Sequence, residues 1–146
     1  MRALRERAKG LTFSIARNIE LPTVTDPRGK LTFVEGERDV PFPIRRVYWI
    51  YDVPGGEVRG GHAYKVLEEV VIAISGSFDV RLDNGARSEV VSLNRSYYGL
   101  HVPPMTWRQL ENFSTNGVCL ILASLPYSEG DYIRDRDAFI AATAAQ

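Results

Sequence analysis

The segment EVRGGHAYKVLEE, residues 57–69, carries the densest group of side chains able to move protons. An unperturbed imidazole such as that of His62 titrates near neutral pH, so it can take a proton from a substrate under physiological conditions. If the segment is extended, side chains two apart share a face, which sets Tyr64 beside His62. Arg59 and Lys65 flank the pair, and Gly60-Gly61 lets the backbone turn sharply just before it. An imidazole, a phenol and two cations at the mouth of a β-barrel suit a small anionic ligand that needs proton transfer. Taken singly, His62 also reads as an ordinary hydrogen-bonded histidine, and Arg59 and Lys65 as a solvated face. Spacing and the twin glycines favour the group. A second cluster, YYGLHVPPMTWRQLEN at residues 97–112, has Pro103-Pro104 breaking a strand before Trp107 and Arg108.

These residues need elements to hold them. From about residue 12 the chain runs as short apolar or alternating segments cut by Gly, Pro, Asn and Asp. Strands are expected at Leu31–Glu35, Arg46–Val53, Glu69–Ile74, Phe78–Leu82, Glu89–Leu93, Leu100–Val102 and Val118–Ala123. Ser75-Gly76-Ser77 reads as a tight turn, and Asp83-Asn84-Gly85 predicts a hairpin with a type I′ turn. Only Ile133–Ala145, rich in alanine, has a helical character. Residues 1–10 are expected either to make one or two helical turns or to fray. Many short strands with one terminal helix predict a single all-β domain: a sandwich, jelly roll or small barrel.

Composition narrows the function classes. The chain has 146 residues, 18 basic and 18 acidic side chains, and one cysteine, Cys119. Balanced charge argues against a dedicated nucleic-acid binder. A lone cysteine makes no internal disulfide, and no Cys/His cluster offers a structural zinc site. No apolar run is long enough to span a membrane, and the basic N-terminal residues lack the apolar core of a secretory signal. A cytoplasmic location is expected.

A Gly-x-His-x-aromatic segment, then a hairpin, then a Pro-rich turn leading to a polar residue and Asn, resembles the paired motifs of the cupin superfamily. That resemblance implies a jelly-roll barrel, in many members holding a metal. Here His62 stands at the first histidine position, Tyr64 at the second and Arg108 at the third, with Glu68 or Glu69 at the carboxylate. One His and one Glu beside a permanent cation are a poor divalent site, so no metal and no cofactor are expected. His101 lies on another strand at no ligand spacing from His62.

The phrases RGKLTFVEGERDVPFPIRRVYWIYDVPGGEVRGGHAYK, EEVVIAISGSFDVRLDNG, LNRSYYGLHVPP and DYIRDRDAF span about three-quarters of the chain. They are similar to the TDP-4-keto-6-deoxyglucose 3,4-ketoisomerase family of WxcM-like, RmlC-type cupins. The resemblance implies a metal-free homodimer with exchanged strands that acts on a TDP-linked keto sugar in deoxyamino sugar biosynthesis. Moving a ketone from C4 to C3 requires removing the C3 proton, passing through an enediolate and returning a proton to C4. His62 is then the base and Tyr64 the partner acid, standing where the family usually carries a second histidine. Arg59, Lys65 and Arg108 are candidates for the diphosphate, Arg95 from a matching family phrase is a further phosphate contact, and Arg28 matches a family position near the start of the first strand as a substrate-binding residue. Tyr48, Trp49 or Trp107 would form the thymine slot, and residues 132–139 would close the fold with Arg134 pairing nearby acids. Two alternatives stay open: a 3,5-epimerase of the same fold, and a non-catalytic TDP-sugar binding module.

Overall fold

The computed structural model describes residues 14–146, so the expectation for residues 1–10 lies outside the described part. Twelve strands follow in chain order: β1 (Arg17–Glu20), β2 (Thr23–Asp26), β3 (Gly29–Thr32), β4 (Arg46–Ile50), β5 (Arg59–Tyr64) and β6 (Glu69–Ser75). Then come β7 (Phe78–Asp83), β8 (Ser88–Leu93), β9 (Tyr98–Val102), β10 (Trp107–Glu111), β11 (Val118–Ala123) and β12 (Tyr132–Ile133). Among the described residues one α-helix, α1 (Arg136–Ala144), follows β12.

Two five-stranded antiparallel sheets face each other, in the orders β1-β9-β6-β11-β4 and β12-β5-β10-β7-β8. The period of two along each strand decides what enters the space between them. Val71, Ala73, Leu100, Cys119 and Ile121 from the first sheet meet Phe78, Val80, Leu82 and Leu110 from the second in one apolar cluster. Val70, Ile72 and Leu122 point the other way and pack under residues Val40 and Phe42. This is the all-β, jelly-roll arrangement expected. Burial also keeps the thiol of Cys119 protonated, pushed up to about 12.

Three local expectations change. The 83–85 segment is not a two-residue type I′ turn: Asp83 pairs with Ser88, leaving a four-residue connection. Only Gly85 there has a positive φ, and the Asn84 side chain accepts from the amides of Ala86 and Arg87 at 2.9 Å. A Cβ on Gly85 would collide with Thr143, so the loop is shaped by the helix lying on it. The helix begins at Arg136 rather than Ile133, because Tyr132 and Ile133 pair with Tyr64 and Ala63 as β12. Asp135 caps it by accepting from the amide of Asp137. The strand expected at Leu31–Glu35 is β3, ending at Thr32 and paired with β2 in a separate two-stranded hairpin. β1, β2 and β10 were not expected.

Candidate active site

At one end of the space between the sheets the lining changes from apolar to polar. Strand alternation turns His62 and Tyr64 of β5 inward, while Ala63 between them packs outward with Trp107, Ile133 and Phe139. Arg108 of β10 is the cross-strand partner of His62, and Tyr132 of β12 is the partner of Tyr64. Glu69 begins β6, and Arg46 and Tyr48 lie on β4.

The twin glycines have a structural use. Arg108 pairs with His62 but Leu110 pairs with Arg59, so β5 holds one extra residue against β10. This is a bulge, not a turn, and Gly60 adopts the left-handed φ of 74° that it requires. A Cβ at Gly60 would collide with Arg108 Nη1 and lie 3.7 Å from His62 Cε1. The missing side chain therefore lets Arg108 Nη1 lie against the backbone of Gly60, with the edge of the His62 imidazole close by.

Arg108 is almost completely buried, 1% exposed, and so is Glu69. Arg108 Nε donates to Glu69 Oε1 at 2.5 Å and Nη2 donates to Glu69 Oε2 at 3.3 Å. Nη2 also donates to the Tyr48 hydroxyl at 2.9 Å, which in turn donates to Glu69 Oε2 at 3.2 Å. Nη1 has no partner, and neither has His62 Nε2, though both atoms are buried. Unpaired buried polar atoms are costly and rare, and two of them on directly paired residues mark a candidate place for a ligand.

Aromatic rings wall this space. The His62, Tyr64 and Tyr132 rings pack around one another with centroids 4.7–4.9 Å apart. Tyr64 donates to the Tyr132 hydroxyl at 3.3 Å, and Arg46 Nη2 reaches the same oxygen at 3.4 Å. The Arg46 guanidinium lies over the Tyr48 ring at 4.5 Å. At the rim, Arg134 stacks on Tyr132 at 4.1 Å and bonds Glu129 at 2.6 Å. Arg134 thus pairs a nearby acid as expected, and with Tyr127 it holds the Glu129 carboxyl down to about 2.

The surroundings set the protonation states. Burial, and then the charges of Arg108, Arg134 and Arg46, push His62 down to about 3. The imidazole is therefore neutral at physiological pH, with a lone pair available. Burial first, then the negative charge of Glu69, pushes Tyr48 up to about 12 and Tyr64 further still. Both phenols stay neutral and serve as hydrogen-bond donors. Burial opposes the charge of Arg108, but Glu69 more than offsets this and holds the guanidinium protonated.

The sequence-derived candidates divide accordingly. His62, Tyr64, Tyr48 and Arg108 converge. The other cations do not join them within one chain. Arg28 sits in the β2–β3 hairpin with its side chain 90% exposed and paired to Asp26. Arg59 is exposed where β5 begins, Lys65 donates outward to the carbonyl of Gly130, and Arg95 donates to the carbonyl of Asn94. Trp107 is turned to the opposite face of β10 from Arg108 and packs on Phe139, while Trp49 lies on the outer face of β4. Neither indole lines the polar end. His101 is on the outside of its sheet, bonded to Glu68 at 2.9 Å. Glu69 was visible only as a possible metal ligand; it faces a guanidinium instead, and that donor set does not fit a divalent cation. Arg46 and Tyr132 carried no local signal, since each reaches the site only through its strand's pairing.

Residues 15–144 match the FdtA family, described as WxcM-like, C-terminal. A TDP-4-oxo-6-deoxy-α-D-glucose-3,4-oxoisomerase from Aneurinibacillus thermoaerophilus is 41% identical over 121 residues, covering 83% of this chain and 87% of that protein. The sugar 3,4-ketoisomerase QdtA from Thermoanaerobacterium thermosaccharolyticum, solved with TDP, superposes with a TM-score of 0.88 at 36% identity, over 91% of this chain and 97% of that one. The TDP-quinovose 3,4-ketoisomerase WlaRB from Campylobacter jejuni gives 0.83 at 40% identity, over 86% and 97%.

Proposed function

The chain belongs to the FdtA, WxcM-like C-terminal family, and we propose that it is an isomerase converting TDP-4-keto-6-deoxyglucose to the 3-keto sugar. The relatives named for this reaction support the substrate and the reaction class. The observation that carries the roles of the residues is the pair of unpartnered buried nitrogens, His62 Nε2 and Arg108 Nη1, on directly paired residues of β5 and β10.

The chemistry follows from that pair. Neutral His62 takes the proton from C3, and the electrons move onto the C4 carbonyl oxygen. Arg108 Nη1 donates to that oxygen as charge develops, in a site where water does not compete. The O4 oxygen is protonated while O3 gives up its proton, and the imidazolium returns a proton to C4 as the C3 ketone forms. Tyr64 contributes its hydroxyl as a donor to the oxygens, since its raised pKa disfavours a phenolate. This reading gives Arg108 the sugar oxygen and not the diphosphate, because a hydrated dianion cannot follow to a side chain 1% exposed. The diphosphate falls to rim cations, among which Arg59 has no ion-pair partner among the described residues.

The reading includes a homodimer. The outer face of the first sheet exposes Val47, Trp49 and Ile74, and an apolar groove of about 490 Å³ runs between it and the β2–β3 hairpin. A second copy covering this face would also bury the hairpin that carries Arg28. No helix among the described residues is long and apolar enough to cross a membrane. The free, buried thiol of Cys119 accords with a cytoplasmic enzyme.

The test is incubation with TDP-4-keto-6-deoxyglucose in deuterated water, followed by NMR. The reading expects deuterium at C4 of a 3-keto product. Deuterium at C3 and C5 with the ketone left at C4 would make the protein an epimerase. Binding of TDP with neither exchange nor formation of a 3-keto sugar would make it a binding module.

A further inference from the structure

We infer that Glu69 is a positioning residue for the reaction: it locks one edge of the Arg108 guanidinium so that Nη1 alone faces the substrate. This rests on the reading above, in which Arg108 meets the sugar oxygen. The carboxylate engages Nε and Nη2, and Tyr48 closes the triangle by accepting from Nη2 and donating to Oε2. A planar guanidinium held along that edge can present only its remaining nitrogen elsewhere. That nitrogen is the unpartnered Nη1 beside Gly60.

Structural need does not explain the pair. Two ions 1% exposed carry a desolvation penalty that their attraction seldom exceeds, and an apolar pair of similar volume is often as stable. The rest of the interior follows that apolar solution: Val71 and Ala73 continue the inward face of Glu69, and Leu110 continues that of Arg108. The ion pair stands only where the interior reaches His62. Its arrangement aims a fixed donor at developing negative charge, which lowers the barrier without strengthening ground-state binding.

Two variants test this against the wild type, assayed by C4 deuterium exchange, TDP affinity and thermal unfolding. Glu69→Gln keeps the shape and removes the charge that fixes Arg108. Its kcat is expected to fall by about 10- to 100-fold, with KM and TDP affinity within about twofold. The double variant Glu69→Leu/Arg108→Met is expected to unfold at or above the wild-type temperature, to bind TDP and to exchange no deuterium. A folded Glu69→Gln with wild-type kcat, or with only KM raised, overturns the inference. So does an active double variant, or failure of both variants to fold, which would make the pair structural. If the wild type itself neither exchanges deuterium nor forms a 3-keto sugar, it is the functional reading that fails.

Discussion

His62 stands directly opposite Arg108 on the paired strands β5 and β10, so a permanent cation faces the imidazole from its own sheet. Together with burial, that cation holds the imidazole down to about 3. The unfolded chain takes up this proton near pH 6.5 and the folded chain only near pH 3, so the unfolded state binds more protons in between. Stability contributed by a neutral His62 is therefore complete above pH 6.5 and lost as the pH falls toward 3. The effect is on the order of a few kcal/mol. Urea unfolding at several pH values is expected to show His62→Gln losing less stability across this window than the wild type.

Tyr64 and Tyr48 are expected to remain phenols well into the alkaline range, because burial and Glu69 raise both. Replacing either with Phe should leave the ultraviolet tyrosine titration below about pH 11 unchanged. Tyr64→Phe removes the hydroxyl that reaches Tyr132, and is expected to lower kcat by about 10-fold or more while sparing TDP affinity. An unchanged kcat would remove the hydroxyl from the chemistry.

Gly60→Ala tests the close approach of Arg108 to the β5 backbone beside His62. The new methyl group meets Arg108 Nη1, and the φ of 74° is strained for any side chain. The cost is about 1–2 kcal/mol of stability, with a larger proportional loss of turnover as the guanidinium is pushed aside. Calorimetry and the exchange assay read the two effects separately.

The strand alternation that pairs His62 with Tyr64 is local, and it was legible in the sequence. So were most of the strands and the outline of the site. What was not legible depends on facing and register. Trp107 and Arg108 are neighbours, and nothing local says which turns inward; the buried helix residue Phe139 settles it by covering Trp107. Glu69 and Arg108 are 39 positions apart, and their bond depends on how the two sheets close over each other. Tyr132 lay in a stretch expected to be purely structural, and its two-residue strand is created by pairing with β5.

Trp107 gives a further check. It packs under α1 with the Arg136 guanidinium 5.5 Å from its ring, away from the polar end. Trp107→Phe is expected to leave TDP affinity unchanged in titration calorimetry. Phe139→Ala, which empties the same cluster, should cost about 3–5 kcal/mol of stability.

The outer face of the first sheet can be tested by charge. Trp49 is 59% exposed there, and Trp49→Glu places a carboxylate in the surface proposed to meet a second copy. Light scattering should give a dimer for the wild type and a monomer for the variant. A monomeric wild type would remove the homodimer.

The central claim is that His62 takes the proton from C3, and substrate deuterated at C3 tests it most directly in ordinary water. With the wild type, deuterium is expected to leave C3, appearing in water or at C4. With His62→Asn, substrate and TDP should still bind while the label stays at C3. Loss of the label from C3 at the wild-type rate in the variant would contradict the account.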